Sequence, residues 1–436
     1  MTLRETGPAS SVGFRRRQQR RESANVFLGE NPLIGALDLG QAQHAVWFAD
    51  KKLEVIDRFM VPHSREGIER FLMKAETQRL SGGFERLVVF MEATSHFWEN
   101  VANVLEQRGV AYRTVATLAV AREREITHLT YAKGDYRDAE LIAGLGAKGQ
   151  WLHRTLGCEP LWLELGTLAR EHELLLELEI AEKNRIGAFL ELAAPEFLAV
   201  FRDPMRKTAR AVLRRITRPA ADLPRTFAAV AERTRATDGR RLHHGKARAF
   251  AAALEAAPSY GVERLLAPTL ARVGCALDRF EAFLDLRTDL RARLVALYEA
   301  TPYRAVLDTI PGVAPESHAL LLGFVGDPKQ YDRATCLVKL AGTEPRENAS
   351  GKGEGSHAIA RRGRAALRWV VHRIVIALAR NNDAFAAYLR RLVDRPDSPL
   401  KWPQAVVATG NKYLRLVHHL CVAGEPYDSS KLASHD

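Results

Sequence analysis

The chain has 436 residues, 47% of them hydrophobic, which suffices for two or three domains with a sizeable core and excludes a disordered chain. Its 64 lysines and arginines exceed 52 acidic residues by 12, and a pI of about 9.7 favours a polyanionic partner, nucleic acid ahead of an anionic membrane surface. No apolar run approaches the roughly 20 residues of a membrane span, no signal-peptide core is expected, and the scattered Cys158, Cys275, Cys336 and Cys421 form neither a zinc signature nor a disulfide framework, which fits a reducing cytoplasm.

Residues 1–31 are polar, carry RRRQQRR at Arg15–Arg21, and are expected to form a disordered basic tail. From Leu33 the apolar runs LIGALD, HAVWFA and LEVIDRF follow one another closely, which predicts an antiparallel meander. A helix is expected at about 64–79. RLVVFME at Arg86–Glu92 is a continuous apolar run, as in a fully buried strand. A helix at about 97–108, a strand near 112–116 and a helix over Asp135–Gly146 follow. Three strands, then alternating helices and strands, is the order of an α/β RNase H-like (RuvC-like) domain, here over residues 32–150.

Four acids in that domain stand out. Asp38 in LIGALDLG and Glu92 in VVFME close apolar strands, and Asp135 and Asp138 open a predicted helix in AKGDYRDAELIAGL. A three-residue separation puts the last two on one helix face. In an RNase H-like sheet the first strand is central, lies beside the strand bearing Glu92, and is covered by the last helix, so the four carboxylates would converge. Converged carboxylates repel unless cations sit between them, and two magnesium ions about 4 Å apart would fit. Taken singly, Asp135 and Asp138 suit a helix N-cap or first turn, and Asp38 and Glu92 suit strand-end surface acids. Lys133, two residues before Asp135, suits phosphate contact or a plain surface lysine.

Residues 151–300 are expected to be helical. Leu161, Leu165, Leu168 and Leu175 follow a 4-3-7 spacing, with His172 filling the missing step. That seam suits a long helical hairpin or a coiled-coil partner surface, and a second run at about 261–299 would return alongside it. Between them, residues 202–248 are arginine-dense, which suits phosphate contact or a solvated face.

Residues 301–425 read as mostly α, before a tail at 426–436. LDTIPGVAPESHALLLGFVGD at Leu307–Asp327 has the order helix, Pro-Gly-Val turn, helix, like a helix-hairpin-helix that offers N–H groups to a DNA phosphate. A helix at about 334–340 leads into Thr343–Trp369, TEPRENASGKGEGSHAIARRGRAALRW. Gly351, Gly353 and Gly355 would let a backbone approach a ligand closely. Arg361, Arg362, Arg364 and Arg368 suit phosphate oxygens, and Ser350 or Ser356 could be the nucleophile of a phosphoryl transfer. Helices are expected at about 365–379, 385–392 and 404–421.

Asp38, Glu92, KGDYRDAELIAGL, the leucine-rich helices and the long run from IPGVAPESHALLLGF to ARRGRAALR together resemble the DEDD transposases of the IS110 family, from about residue 33 to residue 421. That family comprises RNA-guided recombinases of bacterial insertion sequences. The resemblance implies a RuvC-like domain that binds Mg2+ through Asp38, Glu92, Asp135 and Asp138. It implies a C-terminal domain whose catalytic serine precedes a glycine, here Ser350-Gly351, with Ser356 as the rival. Serine attack on a DNA phosphate would then give a phosphoserine intermediate in a site shared by two subunits. It further implies DNA of the element ends and target, a noncoding guide RNA, a homodimer or tetramer, and a nucleoid-associated place in the bacterial cytoplasm. Lys133, Arg346, Lys352, Arg361, Arg362 and Arg364 are the expected nucleic-acid contacts. The sequence departs from the family in ENASG before the serine and in AIARRG at Ala358–Gly363. The alternative is a RuvC-type metal-dependent nuclease or junction resolvase with water as nucleophile, and a non-enzymatic nucleic-acid-binding protein is the third reading.

Overall fold

Pro32–Leu39 is apolar on nearly every residue, and a strand buried on both faces belongs in the middle of a sheet. The computed structural model describes residues 18, 22–92, 97–128, 134–151, 160–193, 195–217, 263–348 and 356–430. The chain divides into two compact units, Met1–Cys158 and Glu159–Asp436.

In the first unit β1 (Pro32–Leu39) is central. β2 (Gln43–Ala49) and β3 (Val55–Pro62) extend the sheet antiparallel on one side. β4 (Arg86–Glu92) and β5 (Ala111–Val115) extend it parallel on the other, giving the order β3-β2-β1-β4-β5. Period-two alternation sorts the side chains to two faces. Leu33, Leu37, Phe48, Val89 and Met91 face the helices that follow β3 and β4, where Phe71 and Leu105 sit. Ile34, Ala36, Trp47, Val88 and Phe90 face the other way, against Val120, Ala139, Ile142 and Ala143.

These helices are α2 (Arg65–Ser81), α3 (Phe97–Gln107), α4 (Thr117–His128) and α5 (Asp135–Ala147). The sequence did not announce α4: its Leu118 and Ile126 are exposed, so its apolar residues form no single stripe. The disordered tail expected over 1–31 is corrected at its end. Residues 22–28 form a helix, α1, whose Leu28 is buried in the sheet's core. Arg86 reaches the carbonyls of Phe27 and Leu28. Residues 1–17 and 19–21, with the basic run, lie outside the described residues.

In the second unit α6 (Pro160–Ala193) and α9 (Glu263–Glu299) lie side by side. Arg293 meets Glu164, Arg287 meets Glu179 and Arg279 meets Glu182, so partner numbers rise as the others fall and the helices are antiparallel. The leucine seam is covered within the chain: Leu165, Leu168, His172 and Leu175 are all buried. Of the arginine-dense stretch, α7 (Pro195–Val200) leads to α8 (Lys207–Ile216), where Arg210 and Arg214 pair with Glu281. These two arginines serve helix packing, while residues 218–262 lie outside the described residues.

The stretch expected to form a helix-hairpin-helix has unequal arms. Before the turn there is a single helical turn, α10 (Arg304–Leu307), because the following Pro311 biases its predecessor away from helix. After it comes α11 (Pro315–Val325), then α12 (Thr335–Ala341), α13 (Ala365–Asn381), α14 (Asp383–Asp394) and α15 (Trp402–Ala423). The supposed tail is anchored where it begins, since the Tyr427 N–H donates to Thr309 Oγ1 at 2.8 Å.

Candidate active site

The register of β1 and β4 decides where two of the four acids go. Leu37 lies opposite Met91, so Asp38 and Glu92 come next, side by side at the ends of neighbouring parallel strands. By alternation both share the face of Ile34, Ala36, Val88 and Phe90, the face covered by α5. Glu92 is buried and Asp38 is half-buried.

Helix α5 sits close to the sheet because Gly146 lies on the Phe90 ring: a Cβ there would come within 2.4 Å of it. Asp135 is the first helical residue after the Gly134 N-cap, so it does not cap the helix itself. It is exposed, whereas Asp138, one turn on, is only 1% exposed. Both occupy the first turn, where the helix dipole favours negative charge. Asp138 Oδ1 accepts from Arg124 Nε at 2.8 Å and lies 2.7 Å from its Nη2, while Oδ2 is buried without a hydrogen-bond partner. Sequence reasoning missed Arg124, because it lies on α4 and nothing in the local pattern ties it to an acid fourteen residues on.

The structure therefore brings Asp38, Glu92 and Asp138 to one face of the sheet but does not close them into a cage. Among the described residues no group of three or more His, Cys, Asp or Glu is gathered tightly enough to hold a metal ion. The chemistry of the set nonetheless suits a hard divalent cation: the donors are all carboxylates, and the Asp138 oxygen left over from the arginine pair is an unused ligand. Lys133 lies outside the described residues.

The second candidate region is in the C-terminal unit. The stretch that carries the expected glycine-rich loop is framed by a β-ribbon: β6 (Pro345–Asn348) pairs antiparallel with β7 (Ser356–Ile359), Asn348 opposite Ser356. A two-stranded ribbon needs few apolar residues, so it left little mark on the sequence. Ser350 and Lys352 belong to the connection between these strands and lie outside the described residues, as do the side chains of Arg346 and Ser356.

The ribbon is pinned at its base. The Arg361 N–H donates to Gly342 O at 3.0 Å and the Arg364 N–H to Leu340 O at 2.7 Å. Gly363 is pressed so tightly on this turn that a Cβ would lie 2.4 Å from the Gly342 nitrogen. Arg361 itself takes a left-handed φ of 52°, a strained backbone for a side chain with a Cβ. From α15 the buried Asn411 holds Thr343, donating to its carbonyl at 3.1 Å and accepting from its hydroxyl at 2.5 Å. Arg361 and Arg362 are thereby presented, exposed, on a held turn. Arg364 and Arg368 instead direct nitrogens to the carbonyls of Phe324 and Ala341.

Comparison with known proteins matches both regions. The DEDD transposase model of the IS110 group matches residues 36–195, and that of the transposase IS116/IS110/IS902 family matches residues 304–390, together more than half of the chain. The chain is also 26% identical over 344 residues to the insertion element IS110 uncharacterized 43.6 kDa protein of Streptomyces coelicolor, covering 77% of this chain and 80% of that one. With an acid-bearing sheet and an arginine-bearing ribbon each inside a family match, the chain belongs to the IS110 family, as a DNA transposase of an insertion element.

Proposed function

We propose that this transposase cuts and rejoins DNA with an RNase H-like, RuvC-like acid site and a serine nucleophile. The observation that carries the reading is the side-by-side placement of Asp38 and Glu92 on the face covered by α5, the helix that carries Asp138. A central first strand, an antiparallel meander on one side and parallel strands on the other is the topology such a site uses.

The family implies use of a divalent metal. Asp38, Glu92, Asp135 and Asp138 would hold it, as two Mg2+ ions, and when bound these ions neutralise charge developing on a phosphate. The chain's own residues do the rest. Arg124 holds Asp138 Oδ1 in a buried ion pair and leaves Oδ2 free of a hydrogen-bond partner. Arg361 and Arg362, with Lys133, Arg346 and Lys352, would hold DNA phosphates by charge-assisted hydrogen bonds, while Arg364 is engaged with the Phe324 carbonyl. Ser350 would attack phosphorus: the Oγ–P bond forms, the bond to the departing nucleoside oxygen breaks, and the serine proton leaves to solvent or a base. Net charge and family also support a noncoding guide RNA, and a homodimer or tetramer in which one subunit's acids meet another's serine.

The test combines protein, flanking noncoding RNA and labelled donor DNA with Mg2+, run on a denaturing gel. A covalent protein–DNA adduct is expected from the wild type and from neither Ser350→Ala nor Asp138→Ala. Cleavage without an adduct that survives Ser350→Ala would replace the serine mechanism with hydrolysis by water. Cleavage that survives chelation would remove the metal reading.

A further inference from the structure

Helix α13 buries Leu367, Val370, Val371, Ile374, Val375 and Leu378 along one stripe. Trp369 projects almost opposite that stripe at 100° per residue, and it is 51% exposed. A scattered exposed apolar residue needs no explanation, but this one is organised. Its ring lies over that of His372, one turn on, with centroids 5.1 Å apart and planes 9° from parallel. Two flat rings are thus already near-parallel, with Trp369 half exposed and His372 half-buried.

The sequence around this pair is one-sided in charge. From His357 to Asn382 the chain has six arginines and no acidic residue. Arg364 and Arg368 are turned to carbonyls and Arg373 to Glu173, while Arg361 and Arg362 stand exposed on the held turn just before the helix. An exposed aromatic ring a few residues on from exposed arginines supplies the two groups that bind an unstacked base and the phosphates beside it. A paired base offers its edges and hides its faces, so the ligand that fits is an unpaired one.

We propose that Trp369 and His372 form a stacking platform for an unpaired nucleobase of the bound nucleic acid, with Arg361 and Arg362 holding the adjoining backbone. The inference rests on the transposase reading above, in which DNA strands are opened and a guide RNA is present, and either could supply the base.

The test uses the full chain with oligonucleotides carrying 2-aminopurine, whose fluorescence falls on stacking: a single-stranded DNA, an RNA of the same sequence, and the DNA duplex. Trp369→Ala is expected to weaken single-strand binding about 5- to 100-fold and to restore the probe's fluorescence, with no change for the duplex. Trp369→Phe is expected to keep most of the affinity, and the salt slope should not move. The strand type that shows the loss identifies the source of the base. Replacing both Arg361 and Arg362 by Ala should weaken single strands and duplex together and lower the salt slope by about 2. Single-strand binding by Trp369→Ala equal to wild type, while the arginine variant falls, would overturn the platform and leave the transposase reading intact. Equal losses on single strand and duplex, or a changed mass in light scattering, would make Trp369 a structural or subunit-contact residue and also overturn it. A wild type that binds none of the three would remove the reading on which the platform rests.

Discussion

The acid face of the N-terminal unit and the arginine turn of the C-terminal unit are built by opposite means. Asp38, Glu92 and Asp138 sit on two strands and a helix, so alternation, register and helical pitch set their positions. Arg361 and Arg362 sit on irregular backbone, and their positions depend on remote contacts from Gly342, Leu340 and Asn411. A charge placed by regular structure tolerates changes elsewhere in the unit, whereas one placed by a pinned turn is lost when a single distant contact gives way.

The largest effect should come from the acids. Asp38→Asn is expected to lower strand cleavage at least about 100-fold with little change in melting temperature, since Asp38 is half-buried and its strand is held on both sides. Cleavage within a few-fold of wild type would detach the acid face from the chemistry.

Arg124 gives the next largest. Arg124→Ala strands a buried carboxylate and should cost about 3 kcal/mol in chelator, read by denaturant unfolding. Added Mg2+ should recover much of that loss if Asp138 is a metal ligand, and none if it is only a structural ion-pair partner.

Two glycine variants then sharpen the comparison. Gly146→Ala forces a methyl into the Phe90 ring and should cost about 2 kcal/mol in the N-terminal unit without touching the arginines. Gly363→Ala meets backbone, which cannot rotate away, and should weaken DNA binding by displacing the turn. Unchanged DNA affinity in Gly363→Ala would show that the turn is not what presents Arg361 and Arg362.

The last effects are in pH. Burial, aided by the neighbouring His63, lowers His44 in the first unit to about 4, and burial lowers His318 in the second to about 4 despite Asp308 nearby. Each binds a proton more weakly folded than unfolded, so stability falls as pH drops from about 6.5 toward 4, by about 3 kcal/mol each. His172 has the other sign. Burial lowers it, but Glu173 at 3.2 Å and Glu316 at 3.4 Å outweigh burial and raise it. Its contribution is complete below about 6.5 and is lost as pH rises through its folded value. Urea unfolding from pH 4 to 8 should show the acid loss shrink in His318→Gln, and the alkaline loss shrink in His172→Gln.

The sheet strands and long helices were legible because their patterns are local. LIGALD, HAVWFA and VVFME announce buried strands, and KGDYRDAELIAGL announces a helix with two acids on one side. The leucine seam was legible as a seam, although only packing showed that this chain's own helices cover it. The short α4, the ribbon at Pro345–Asn348 and Ser356–Ile359, and the buried end of the N-terminal segment were not legible, because none carries an apolar period of its own.

What the amino-acid order settled by itself is which residues alternate, which lie a turn apart, and therefore which acids share a strand face or a helix face. Tertiary structure alone decided the register that sets Asp38 beside Glu92, that Arg124 from another helix meets Asp138, and that Gly363 on Gly342 fixes the arginine turn. The physical reason is range. Propensity and periodicity act over a few residues, while register, ion pairing across helices and backbone close approach join positions tens of residues apart and exist only once the core has formed.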